Sequence, residues 1–189
     1  FCFGYSIYKL HLLQVNLFQR LMISSVLLII HCSVILYFSY LNQKYNNGDA
    51  IAMVCMSPLA LFPIIALNLM GGRAGICTAI LVSILFPLQI SIPGNQIQAF
   101  YFALIITILG LATFQHARRR QDFLLSGIVL SAIVFFSAIL YEIDIHGNIS
   151  IAFDQENIFA KFLLFAVCNG LGTGIVCLVL LPLFETLFN

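Results

Sequence analysis

The chain has 189 residues, 62% of them hydrophobic and only 8% charged, with a formal net charge of +1 and a mean hydropathy of +1.08. Soluble domains carry about 25% charged residues, so a soluble globular protein is excluded. A charge so close to zero also gives no reason to expect nucleic acid as a partner.

The charges are clustered, which leaves uncharged stretches at 21–43, 50–72, 74–117, 123–141 and 162–184. A helix needs about 20 apolar residues to cross about 30 Å of hydrocarbon. The sequence therefore predicts an all-α, polytopic transmembrane helix bundle that forms a single domain over 1–189, with the lipid bilayer as its first partner. Taken in order, residues 1–8, FCFGYSIY, are apolar but too short to cross. They fit the tail of a truncated N-terminal span or an interfacial segment. No charged n-region precedes them and no small-residue cleavage site follows, so they do not read as a signal peptide.

Six full spans are expected after them, at about 21–41, 50–70, 74–92, 97–116, 123–141 and 158–183. The first carries His31, the one ionisable residue central to any span. Pumps and proton-coupled transporters place acids or bases at that depth, and a lone histidine is better read as a packed polar residue. The second span contains Pro58 and Pro63, with Asn68 near its end. Prolines free backbone carbonyls that can line a cavity, which makes Pro58, Pro63 and Asn68 a candidate pocket on a kinked helix. Met70-Gly71-Gly72-Arg73 then reads as a tight turn. The 44-residue uncharged run that follows is cut by SIPGNQ at 91–96, whose proline, glycine and amides are turn signals.

QHARRRQD, residues 115–122, fixes the register of the whole bundle. Burying Arg118, Arg119 and Arg120 would cost roughly 3 kcal/mol each even on a lenient scale. They are therefore a topology anchor, with a docking role for acidic lipid as the lesser alternative. Under the six-span reading Lys9, Arg20, Arg73 and this triplet share one side, against Lys44 and Lys161 on the other. Basic loops stay cytoplasmic, so both termini are expected inside. The longest loop on the opposite side, 142–157, holds four acids and His146 but no calcium-loop pattern. A solvated loop with a short hairpin around His146-Gly147-Asn148 is the simpler reading.

The last span carries NGLGTG at 169–174. Its glycine spacing misses the dinucleotide pattern and no strand precedes it. Gly170 and Gly174, four residues apart, instead suit close helix packing, with Asn169 bonding across helices. Six cysteines are scattered through apolar segments without a CxxC pair, the four histidines form no metal motif, and no serine elbow exists. No catalytic residues, metal ligands or cofactor are assigned to this chain.

The run RRRQDFLLSGIVLSAIVFF (118–136), the glycine-bearing final span and the closing LLPLFETLFN resemble the membrane domain of seven-transmembrane receptors with an intracellular HD phosphohydrolase, often called 7TMR-HD. In that family an extracellular domain precedes the helices, and a Leu-Pro-Leu-x-Glu segment leads into the cytoplasmic HD domain. Leu181, Pro182, Leu183, Phe184 and Glu185 match that output junction, and the arginine loop and the turn at 70–73 sit where the family has them. Asn189 departs from the pattern, since the family commonly continues there with glycine.

The resemblance implies six full spans plus a truncated seventh, a bacterial inner-membrane location, and a parent protein in which the HD domain hydrolyses a cyclic dinucleotide, with cyclic di-AMP first, at a metal pair. It places the extracellular and HD domains outside this fragment, with the linked HD domain as partner and a homo-oligomer as a further arrangement. Two other classes share the composition: a small solute-binding subunit of an uptake transporter, and a multi-span protein of cell-wall morphogenesis.

Overall fold

The computed structural model describes residues 17–45, 55–89, 96–117, 119–146 and 156–188. These form six helices: α1 (Leu17–Tyr45), α2 (Leu61–Met70), α3 (Gly72–Gln89), α4 (Gln96–Phe114), α5 (Arg120–His146) and α6 (Glu156–Phe188). Hydrocarbon leaves no water for backbone groups, so these apolar runs close their hydrogen bonds within helices. Short polar side chains follow the same logic. Ser33, Asn68, Thr78 and Ser83 each donate to the carbonyl four residues back, on Ile29, Ile64, Ala74 and Ala79.

Five described helices are long and apolar enough to span a membrane: α1, α3, α4, α5 and α6. The expected second span is different. Its described part is interrupted at 57–60, and α2 proper has only ten residues. The count of six full spans plus a truncated seventh is thus not reproduced among the described residues, and residues 1–8 lie outside them.

Pro58 marks the interruption, because it has no N–H and disfavours a helical residue before it. Pro63 falls in the first turn of α2, where a missing N–H costs nothing. It therefore permits a helix start rather than a kink inside one. The loop expected from 142 onward also changes, since α5 runs on through His146. The remainder of the expected hairpin, at 147–148, lies outside the described residues.

Side-chain pairs fix the antiparallel order. Leu67 of α2 faces Gly75 of α3, and Ser83 of α3 meets Thr107 of α4 at 3.2 Å. At the α4–α5 junction the Ser126 hydroxyl donates to the Thr113 carbonyl, while Phe102 lies edge-on to Tyr141 at the far end. Gly71 joins α2 to α3 as a single residue with φ 95°, a conformation open to glycine and strained for other residues. The arginine loop opens α5 with a cap, in which the Arg119 N–H donates to the Asp122 carboxylate at 2.8 Å. Among the described helices α5 and α6 form the most extensive pair, whereas α1 makes its main contacts, light ones, with α2 and α3.

Candidate functional site: a broken helix bridged to the last span

Several of the polar side chains buried in this core lie near the middle of the spans, while Asn42 and Ser126 lie nearer helix ends. His31, Ser83, Thr107, Ser131 and Asn169 are all buried and close to the midpoints of their helices. Ser57 joins them through its contact with Asn169.

Asn169 is the centre of that layer. Its amide nitrogen donates to two carbonyls of the interrupted segment, Cys55 O at 2.8 Å and Ser57 O at 2.8 Å. In a continuous helix those carbonyls would accept from residues 59 and 61. Here the Leu59 N–H turns to Ser57 O at 2.8 Å and the Leu61 N–H to Pro58 O at 3.2 Å. The two hydrogens of one amide thus stand in for two donors that the break has diverted. The Asn169 carbonyl oxygen accepts from the Thr173 hydroxyl at 3.4 Å, a weaker contact one turn along α6. Irregular backbone at membrane depth is tolerated only where protein re-satisfies it, and Asn169 does that from a different helix.

One residue further on, the α6 backbone rests on α5. A methyl group placed on Gly170 would collide with the Gly127 carbonyl and with the backbone nitrogen and hydroxyl of Ser131. The same addition at Gly174 would stand 2.8 Å from Phe123 O, and at Gly127 2.9 Å from Gly170 O. Gly172, between the two α6 glycines, faces open space. The Ser131 hydroxyl donates to Gly127 O at 2.9 Å and approaches Val167 O at 3.4 Å, so it reaches both helices at their point of nearest approach. Gly127 and Ser131 did not figure among the sequence candidates. Their signal was present in LSGIVLS (125–131), where Gly127 and Ser131 make a small-xxx-small pair.

His31 lies on α1, fully buried, with its ring 4.9 Å from that of Phe62 in the first turn of α2 and nearly perpendicular to it. Neither ring nitrogen has a hydrogen-bond partner among the described residues. Such an orphaned group costs about 1–3 kcal/mol. Of the other sequence candidates, Pro63 is buried, Pro58 half-buried, and Asn68 half-buried with its amide on Ile64 O.

The segment 181–185 is helical throughout, because α6 continues through Pro182 to Phe188. Leu181 is buried while Pro182 and Leu183 are exposed. Thr186 secures the Pro182 carbonyl at 2.8 Å. Gly174 lies opposite Phe123, and each residue adds about 1.5 Å. Phe188 therefore stands roughly 15 Å beyond the level of Arg119, at the end of the bundle where the arginine loop lies. Arg119 is exposed there, and Arg73 is exposed on α3 at the same end.

Neither the curated proteins nor the solved structures searched gave a match to this chain. A family profile described as a 7TM receptor with intracellular HD hydrolase matches residues 4–189. That match takes in the arginine loop, the glycine contact of α5 and α6, the interrupted second span and the segment 181–185. The chain belongs to the family of 7TM receptors with an intracellular HD hydrolase.

Proposed function

We propose that this chain is the transmembrane sensor and anchor domain of its parent, passing a signal from an extracellular domain to a cytoplasmic HD phosphodiesterase. The parent's substrate on this reading is a cyclic dinucleotide, with cyclic di-AMP first, hydrolysed at a metal pair that the HD domain supplies. The observation that carries the reading is α6, one helix of 33 residues in a chain matched by the receptor family over 4–189. It extends about 50 Å against about 30 Å of hydrocarbon. A continuous helix is stiff enough to deliver a displacement at the glycine contact to its far end.

On this reading the arginine loop and the end of α6 are cytoplasmic and the domain resides in a bacterial inner membrane with all its spans, including the truncated first one. Single cysteines at Gln121 and Asn148, in a cysteine-free background, are expected to label oppositely with an impermeant thiol reagent applied from outside. Only Asn148 should react, and equal labelling would sink the orientation. The purified 189-residue chain, given cyclic di-AMP and manganese, is expected to show no turnover, while the longer protein with its HD domain hydrolyses the nucleotide. Turnover that copurifies with the short chain would move the chemistry into the membrane.

A further inference from the structure

We propose that α1 and the break at 57–60 form a two-position relay to α6, in which Asn169 holds the break in one position and His31 takes over one of its carbonyls in the other.

Three observations meet at this point. The first is the doubly bridging amide, which bonds Cys55 O and Ser57 O from α6. Those carbonyls lie where the helical ladder ends, with the Leu59 N–H turned to Ser57 O and the Leu61 N–H to Pro58 O. They can change partner without unwinding a helix. The second is His31, fully buried and with both ring nitrogens unpartnered among the described residues. A neutral imidazole always carries one N–H donor, and here that donor is unused while its ring leans on Phe62, the second residue of α2. An arrangement that offered it a carbonyl would relieve a cost that the present one bears. The third is the light seating of α1, whose main contacts among the described helices are with α2 and α3 and which presents Ile29, Leu36, Tyr37 and Tyr40 outward.

The relay follows from their connection. Sliding of α1 carries His31 against Phe62, and Phe62 is covalently continuous with the break. Exchange of one carbonyl from the Asn169 amide to the His31 N–H then loosens the tie between the break and α6 at its midpoint, while the neighbouring contact of α6 with Gly127 and Ser131 holds. The two states differ by partner exchange, which keeps both close in free energy. A switch needs that bistability.

The test uses the full 189-residue chain, cysteine-free apart from the labelling sites, in lipid nanodiscs. Spin labels at Ile29 on α1 and Ile76 on α3, both exposed, report the position of α1. Labels at Leu125 on α5 and Val179 on α6, also exposed, serve as the control pair. The wild-type chain is expected to show a major and a minor α1–α3 distance. Asn169→Leu should shift the population toward the minor one, and His31→Leu should abolish it, leaving the control distance unchanged in both. Should Asn169→Leu fail to reconstitute, Asn169→Ser retains one donor and is expected to give an intermediate population.

A single α1–α3 distance that neither variant alters would overturn the relay. So would equal broadening of the control pair, which signals a loosened bundle. The role of α6 as output rests on the proposed function, but the labels report helix positions alone. A parent without hydrolase activity would leave this result standing, and a failed relay would leave the output reading untouched.

Discussion

Gly170→Ile is expected to separate α6 from α5 and to cost more stability than any other single substitution in the described bundle. Ordinary overpacking of a core costs about 1–3 kcal/mol because flexible side chains give way. Here the obstruction is backbone, the Gly127 carbonyl and the Ser131 nitrogen, and neither can rotate aside. The Ser131 hydroxyl, which touches both helices, would lose its place as well.

Gly172→Ile supplies an internal control two residues away. It has the same side chain and the same helix, but open space around the new Cβ. Thermal unfolding of the detergent-solubilised chains should place Gly172→Ile near the wild type and Gly170→Ile far below it, with Gly174→Ile between them. Equal melting temperatures for the variants at 170 and 172 would show that the close approach contributes nothing.

The helices were largely legible in the sequence because their signal is collective. Each uncharged run of about 20 residues is enforced by the cost of charge in hydrocarbon, and α1, α3, α4, α5 and α6 answer to the runs at 21–43, 74–117, 123–141 and 162–184. Ends were less legible. Hydropathy marks where a helix leaves lipid and not where its hydrogen-bond ladder stops, so α5 continues to His146 and α6 passes Pro182 to Phe188.

The second span was misread for a related reason. Two prolines five residues apart read as marks of one kinked helix, and only their place relative to a helix start distinguishes them. Pro58 stands where the chain is not helical, and Pro63 where a proline is harmless. Partners across helices were out of reach. Asn169 could be expected to bond to another span, but its partners are backbone atoms of Cys55 and Ser57, which no side-chain pattern reveals. Gly127 was visible in principle, since small residues at 127 and 131 repeat the spacing at 170 and 174.

Asn169→Leu is expected to be nearly as damaging as Gly170→Ile, by a different physical route. Leucine has a similar size and suits the lipid, so the loss is in hydrogen bonding and leaves Cys55 O and Ser57 O without their cross-helix donor. A buried group left unpaired costs about 1–3 kcal/mol, although single interhelical bonds in membranes average closer to 0.6 kcal/mol because alternatives are found. Within the interrupted segment itself, Leu59 N already serves Ser57 O and Leu61 N serves Pro58 O. The Ser57 carbonyl keeps the Leu59 N–H, so a loss of about 1–3 kcal/mol follows, mostly from the Cys55 carbonyl.

A second substitution separates this account from simple loss of a packed side chain. Pro58→Ala restores an N–H and lets the interrupted segment approach a continuous helix, in which residues 59 and 61 can serve those carbonyls themselves. Pro58→Ala should therefore recover part of the stability lost in Asn169→Leu, although alone it gains little. Measured as a double-mutant cycle by thermal or denaturant unfolding in detergent, the two changes should be non-additive by 0.5 kcal/mol or more, on the order expected of residues sharing one network. Strict additivity would mean that the amide and the break are energetically independent, and that Asn169 is merely a polar residue with partners nearby.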